Sequence, residues 1–99
     1  TINNPKIKLP FFDETKNHVF HLFVVRVNDR EKFCEYLDKN HVGYSFHYPI
    51  PPHKQKCLQL PFLHLPITEK IHDSVVSIPI SPILSVSNYE EVANILNRY

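Results

Sequence analysis

The pattern of apolar and polar positions predicts three strands. Residues 18–27, HVFHLFVVRV, are almost continuously apolar and rich in β-branched and aromatic side chains, which predicts a central strand buried on most of both faces. Residues 42–48 alternate, which predicts a second strand with His47 on the face opposite its aromatic side chains. Residues 75–80, VVSIPI, predict a third strand that ends near Pro79, because proline cannot donate to a strand ladder.

Three further segments have the signals of helices. Residues 28–40 place apolar side chains at helical spacing, and an acidic residue three positions after Asn28 makes that asparagine the predicted N-cap. Residues 87–99 show a similar stripe, and Ser87 is their predicted N-cap for the same reason. A shorter helix is predicted to begin at Pro66.

This order of elements predicts an α+β fold with two layers. The expected sheet is small, three-stranded and mainly antiparallel or mixed, with helices on one face and a right-handed first strand–helix–strand unit. Residues 1–17 are polar and interrupted by proline, apart from an apolar group at 9–12. We therefore predict a lead-in segment at 1–17 that packs on another surface, followed by the domain at 18–99.

Composition narrows the possible classes of protein. A chain of 99 residues with 42% apolar and 21% charged residues fits one globular domain rather than a disordered chain. The net charge of +1 gives no electrostatic basis for binding nucleic acid or a membrane surface. The chain has neither an apolar run long enough to span a membrane nor a signal-peptide pattern at its start. Cys34 and Cys57 form no paired motif, which favours a reducing cytoplasm. Because methionine is absent even at position 1, we interpret the chain as a domain from the C-terminal end of a longer protein.

The segment 47–55, HYPIPPHKQ, is the most distinctive stretch of the chain. It has two histidines, one tyrosine and three prolines in nine positions. Proline fixes φ and restricts the residue before it, so this segment can hold ring side chains at a low entropic cost. Two interpretations follow: a rigid connector that leaves a strand, or a segment that presents His47 and Tyr48 at a sheet edge.

The histidines and cysteines offer two other chemistries. His47 and His53 are separated by a rigid loop and could converge on a metal ion, but no third ligand is evident, so no metal site is predicted. Cys57 could pair with His53 or His64 as an activated nucleophile. No motif that would activate this thiol surrounds it, and we do not predict such a site.

Several segments together resemble a known family. HLFVVRVNDREKFCEYLDKN, HYPIPPHKQ and LPITEKIHDSVVSIPISP, followed by the last helix, resemble the C-terminal small domain of the DegT/DnrJ/EryC1/StrS aminotransferases. These are fold-type-I, pyridoxal-phosphate-dependent enzymes that aminate nucleotide-linked keto-sugars. The resemblance covers residues 18–99 and is most specific at 47–55, then at 66–69 and 77–82. The amino-acid sequence of residues 47–55 is most similar to that of members which aminate C3 of dTDP-3-keto-6-deoxyhexoses.

The resemblance implies how function is divided along the whole enzyme. The lysine that forms the Schiff base would lie in a large domain absent from this chain, so the chain alone is expected to contain no catalytic residue, to bind no pyridoxal phosphate and to be inactive. His47 and Tyr48 are implied to be substrate-side residues, and His53 and Gln55 support or nucleotide-sugar contacts. The resemblance also implies an amino-acid donor, a cytoplasmic homodimer and a role in surface polysaccharide or other sugar biosynthesis.

The end of the first helix departs from the family pattern, and two alternative functions remain open. His41 and Val42 stand where the family often has a Gly-Ile pair, so the end of the first helix is expected to be built differently. A free-standing α+β binding or interaction module is the alternative function, because a fold does not determine a function. A metal-binding domain is a third reading, which a stoichiometric metal in the purified protein would test.

Overall fold

The fold is a small antiparallel sheet combined with three α-helices. The structure is a computed structural model that describes residues 1–13, 15 and 17–99. The strands lie side by side in chain order, which confirms the predicted α+β class. Their bounds are β1 (Ile7–Lys8), β2 (Phe23–Val27) and β3 (Val75–Ile78), and the helices are α1 (Arg30–Lys39), α2 (Pro66–Ser74) and α3 (Val86–Asn97).

One face of the sheet forms the core. Antiparallel pairing sets Val25 opposite Val76, and alternation along each strand brings further apolar side chains to the same face. These side chains form a single buried cluster with α1 and α3. The largest members with full burial are Val25, Phe33, Leu37, Val76 and Leu96. Apolar spacing along the helices, read from sequence, therefore identifies the faces that pack.

Two hydrogen bonds attach the C-terminal half of α2 to β2 and α1. Arg26 Nε, in β2, donates to Ser74 Oγ at 3.2 Å. Arg30, at the start of α1, donates to the carbonyl oxygen of His72 at 2.6 Å. Alternation puts the Arg26 side chain on the face of β2 opposite the core. These contacts fix the C-terminal half of α2, which continues directly into β3.

Two of the three predicted strands differ from the observed ones. The strand predicted at 18–27 begins only at Phe23, because its partner β3 has four residues and pairs with 23–26. The strand predicted at 42–48 is wrong: this segment makes one isolated bridge, between Ser45 and Ser77. If the pairing of Ser45 with Ser77 continued as an antiparallel ladder, position 43 would lie opposite Pro79. Proline has no N–H to donate, so the ladder cannot be extended there.

The remaining strand of the sheet, β1, comes instead from the predicted lead-in segment at 1–17. Ile7 and Lys8 pair with Val27 and Arg26 as β1, and the Ile7 side chain is buried in the core. A strand of two residues is too short to show a period in the sequence, so its partner defines it. The domain boundary at residue 18 stays a prediction.

Both predicted N-caps are wrong, although both helices are present. The α1 N-cap is Asp29, whose carboxylate accepts a hydrogen bond from the Lys32 N–H at 3.1 Å. The α3 N-cap is Ser85, which exchanges hydrogen bonds with Asn88 in a capping box. Each true cap has a neighbour of similar chemistry, and the path of the chain into the helix decides between them.

The first and last residues of the chain are hydrogen-bonded to each other. The Asn3 N–H donates to Asn97 Oδ1 at 2.6 Å, and Asn4 Nδ2 donates to the Leu96 carbonyl at 2.9 Å. Lys6 Nζ donates to the carbonyl oxygen of Tyr99 at 2.8 Å. Within the described ranges, no helix is both long and apolar enough to cross a membrane.

Candidate functional site

The segment 47–55 starts beside the outer edge of β3. His47 Nδ1 is hydrogen-bonded to Ser77 Oγ at 2.8 Å. Ser77 is 6% exposed and lies between two residues of the core face, so its own side chain points to the opposite face. The half-buried His47 ring is therefore held against the sheet by a side chain that has little freedom.

Tyr48 lies next to this fixed imidazole and points outward. Its side chain is 68% exposed. The two rings meet nearly edge to face, with centroids 5.5 Å apart and planes at 82°. A phenol of this kind has a rigid apolar body and a polar tip that can donate or accept a hydrogen bond. The pair thus presents polar ring atoms at the surface beside β3.

A short 3₁₀ turn, Pro52–Lys54, closes the segment. The Lys54 N–H donates to the Pro51 carbonyl at 2.9 Å, and the Gln55 N–H donates to the Pro52 carbonyl at 3.1 Å. Proline suits the first position of such a turn, because its missing N–H would have no partner there. The turn buries His53, which is 5% exposed.

The carboxylate of Glu69, in the first turn of α2, gathers four hydrogen bonds. Oε1 accepts from His53 Nε2 and from His64 Nδ1, each at 3.0 Å. The Leu65 N–H donates to the same oxygen at 3.1 Å, and Lys54 Nζ donates to Oε2 at 2.8 Å. The hydrogen bond from Lys54, followed by that from His53, lowers the pKa of Glu69 from 4.5 to about 2. The carboxylate is therefore ionised at neutral pH.

Gln55 is exposed beside an open cleft of about 830 Å³ that lies between residues 53–56 and 59–64. Its Oε1 accepts a hydrogen bond from the Cys57 thiol, with a sulfur–oxygen distance of 3.9 Å. The imidazoles of His53 and His64 hydrogen-bond Glu69. The Cys57 thiol is therefore hydrogen-bonded to Gln55 rather than to the imidazole of His53 or His64.

A metal centre has no support from the geometry. Among residues 1–13, 15 and 17–99, no group of three or more His, Cys, Asp or Glu side chains is arranged to hold a metal ion. His47 and His53 instead have separate partners in β3 and α2.

Comparison with known proteins places the chain in a family. The model of the DegT/DnrJ/EryC1/StrS aminotransferase family matches residues 3–97. This chain belongs to that family. The match covers almost the whole chain, β1 included, which agrees with the participation of Ile7 and Lys8 in the sheet.

Several known proteins are similar over nearly all of this chain. The dTDP-3-amino-3,6-dideoxy-α-D-galactopyranose transaminase of Aneurinibacillus thermoaerophilus is 50% identical over 99 residues, which is 99% of this chain and 27% of the relative. The solved structure of DesV from S. venezuelae aligns with a TM-score of 0.84 and 30% identity over 95% of this chain and 26% of that one. NtdA from Bacillus subtilis aligns with a TM-score of 0.76 and 28% identity over 95% of this chain and 23% of that one. The chain thus spans about a quarter of the length of these relatives.

DegT/DnrJ/EryC1/StrS aminotransferases depend on pyridoxal phosphate, and the NtdA structure contains the cofactor form PMP. The described lysines of this chain do not fit the role of the cofactor's anchor. All seven lie on the surface: Lys6, Lys8, Lys32, Lys39, Lys54, Lys56 and Lys70.

The structure separates the four predicted site residues into two environments. His47 and Tyr48 lie together beside β3, whereas the buried His53 contacts α2 and Gln55 lies at the cleft. Sequence reasoning missed their partners Ser77 and Glu69 as members of the site. Both lie in the motifs at 66–69 and 77–82, and Ser77 is a lone polar residue within a buried apolar strand. A lone serine in a buried apolar strand could have identified Ser77 as a member of the site from the sequence.

Proposed function

We propose that this chain is the C-terminal small domain of a pyridoxal-phosphate-dependent aminotransferase that aminates a nucleotide-linked keto-deoxysugar. The observation that carries the proposal is the 50% identity, over the whole chain, to a transaminase named for dTDP-3-amino-3,6-dideoxygalactose. The proposed substrate is a dTDP-linked 3-keto-6-deoxyhexose, and the proposed donor of the amino group is an amino acid, glutamate. The proposed product serves surface polysaccharide or other sugar biosynthesis.

In this proposal the chain contributes one wall of the active site. His47 and Tyr48 would orient the sugar, because a fixed imidazole and an exposed phenol can hydrogen-bond its hydroxyl groups. We assign them to orientation rather than proton transfer. Gln55, at the cleft, would contact the nucleotide sugar. His53 would be a support, since its ring is buried and occupied by Glu69.

The distribution of exposed apolar side chains supports a role within a larger protein. An open apolar groove is lined by Leu9, Phe12, Phe20, Phe23, Ile80 and Val86, of which Phe12 is 56% and Val86 73% exposed. Exposed apolar groups that cluster mark surfaces that contact other protein. We propose that such surfaces face the large domain of the same polypeptide. We also propose that the complete enzyme is a homodimer in the cytoplasm.

Two measurements on the protein from its source cell test this function. An antibody raised against residues 1–99 should detect a native species several times larger than 11.7 kDa. That species, once purified with pyridoxal phosphate, should convert a dTDP-3-keto-6-deoxyhexose and L-glutamate to the amino sugar nucleotide, as detected by mass spectrometry. The corresponding UDP-linked substrate tests the choice of nucleotide.

Either of two results would contradict the proposal. A native species of the same size as this chain would exclude the aminotransferase activity and favour a free-standing binding module. A large species that aminates no keto-sugar nucleotide would retain the family and reject the substrate.

A further inference from the structure

We propose that Glu69 is a positioning residue that fixes the conformation of the substrate-facing segment 47–55. This inference rests on the proposed function only for the identity of the substrate. The geometry that supports it is independent of any activity, because it concerns how one carboxylate connects this segment to α2.

The four hydrogen bonds of Glu69 come from two parts of the chain. Two are donated by the turn at the end of the segment, from His53 and Lys54. The other two are donated by His64 and the Leu65 N–H, at the entry to α2. The carboxylate therefore joins the turn to the helix.

His53 depends on this acceptor. Its side chain is buried, so a ring N–H without a partner would carry the full cost of desolvation. Glu69 supplies the partner at 3.0 Å and is itself only 16% exposed. Hydrogen bonds to an ionised carboxylate are stronger than those between neutral groups. The turn is consequently held at a defined position rather than resting on the surface.

A second fixed point lies at the other end of the segment, where His47 is bound to Ser77. Glu69 and Ser77 belong to α2 and β3, which are consecutive without an intervening loop. The two anchors therefore share one continuous support. Between His47 and His53 the chain contains Pro49, Pro51 and Pro52, whose φ angles are fixed. With both ends held, the backbone at Tyr48 has little remaining freedom.

The test uses the full-length protein in three forms: wild type, Glu69→Gln and Asp73→Asn. Glutamine keeps the shape of the side chain but removes the negative charge and presents a donor where an acceptor is needed. Asp73 is the matched control, because it is an exposed carboxylate of the same helix. Hydrogen–deuterium exchange, resolved by peptide mass spectrometry, reports the amides of Lys54 and Gln55, which close the turn.

We expect these amides to exchange about tenfold faster in Glu69→Gln, because local opening of the turn loses its strongest restraint. Exchange in α1 should be unchanged, and Asp73→Asn should match the wild type at both places. Steady-state kinetics should show a larger fall in kcat/KM for the keto-sugar nucleotide than for the amino donor.

The outcomes separate the inference from the proposed function. Unchanged exchange of the Lys54 and Gln55 amides would overturn the inference. An equal increase in α1 would also overturn it, because that result indicates general destabilisation. Faster exchange with unaltered kinetics in an active enzyme would reject the role in the reaction. The wild-type protein could also aminate no keto-sugar nucleotide while exchange is still faster in Glu69→Gln. That result would reject the proposed function but support Glu69 as the anchor of the segment.

Discussion

The rings of His47 and Tyr48 are neighbours in sequence but differ in what restrains them. The imidazole is half-buried and hydrogen-bonded to Ser77, whereas the phenol is 68% exposed. An exposed side chain contributes little to stability. The Tyr48 hydroxyl is therefore a group whose removal tests binding without disturbing the fold.

We predict that Tyr48→Phe in the full-length enzyme lowers kcat/KM for the keto-sugar by about tenfold, the expected effect of losing one hydrogen bond to the substrate. The free energy of unfolding should change by less than about 0.5 kcal/mol. Tyr44→Phe is the control, because the Tyr44 hydroxyl donates to Asp38 in α1 rather than to the segment. Equal kcat/KM for Tyr48→Phe and wild type would remove Tyr48 from the site.

Among the secondary structure elements, the helices were predicted best. Their apolar spacing is a local property, and the side chains of Phe33, Leu37 and Leu96, which lie on these apolar stripes, are buried. The N-caps were missed, because a cap depends on where the chain enters the helix. Local chemistry does not separate Asp29 from its neighbour Asn28.

Features that depend on distant partners were not predicted. β1 is defined by its pairing with β2, about twenty residues later. The sequence identified the segment 47–55, and the resemblance suggested its role. The sequence did not reveal that His53 contacts Glu69, or that His47 contacts Ser77 thirty residues away. Such contacts follow from tertiary packing rather than from any local pattern.

The corrected N-cap of α3 leads to a prediction at the scale of the element. Ser85→Ala should lower the free energy of unfolding by ~1 kcal/mol, since it removes the acceptor for the Asn88 N–H. Ser87→Ala should cost much less, because the Ser87 hydroxyl contacts the Ser85 hydroxyl rather than a backbone N–H of the helix. Urea denaturation followed by circular dichroism measures both. A larger loss for Ser87→Ala would restore the cap predicted from sequence.

For the molecule as a whole, the hydrogen-bonded carboxylate of Glu69 makes the free energy of unfolding depend on pH. The pKa of Glu69 is lowered from 4.5 to about 2 in the folded protein, mainly by the hydrogen bonds from Lys54 and His53. A group with a depressed folded pKa stabilises the fold above its ordinary pKa, and this contribution is lost as the pH falls. Glu69 therefore stabilises the protein at neutral pH and progressively less below pH 4.5.

We predict that the difference in melting temperature between wild type and Glu69→Gln is present at pH 5 and shrinks toward pH 2. Thermal unfolding in buffers across this range measures the difference. Asp73→Asn provides the comparison for removal of an exposed carboxylate. A difference that is independent of pH would show that Glu69 has an ordinary pKa in the folded state.

The hydrogen bonds between the two ends of the chain have a consequence for biosynthesis. Residues 3, 4 and 6 bind groups of residues 96, 97 and 99, and Ile7 shares a core with Leu96. A ribosome makes these partners at opposite ends of this sequence. β1, β2 and β3 can pair before the last helix is made, but residues 3, 4 and 6 reach their partners only when that helix has left the ribosome. Completion of this fold is therefore a step that follows the synthesis of Tyr99.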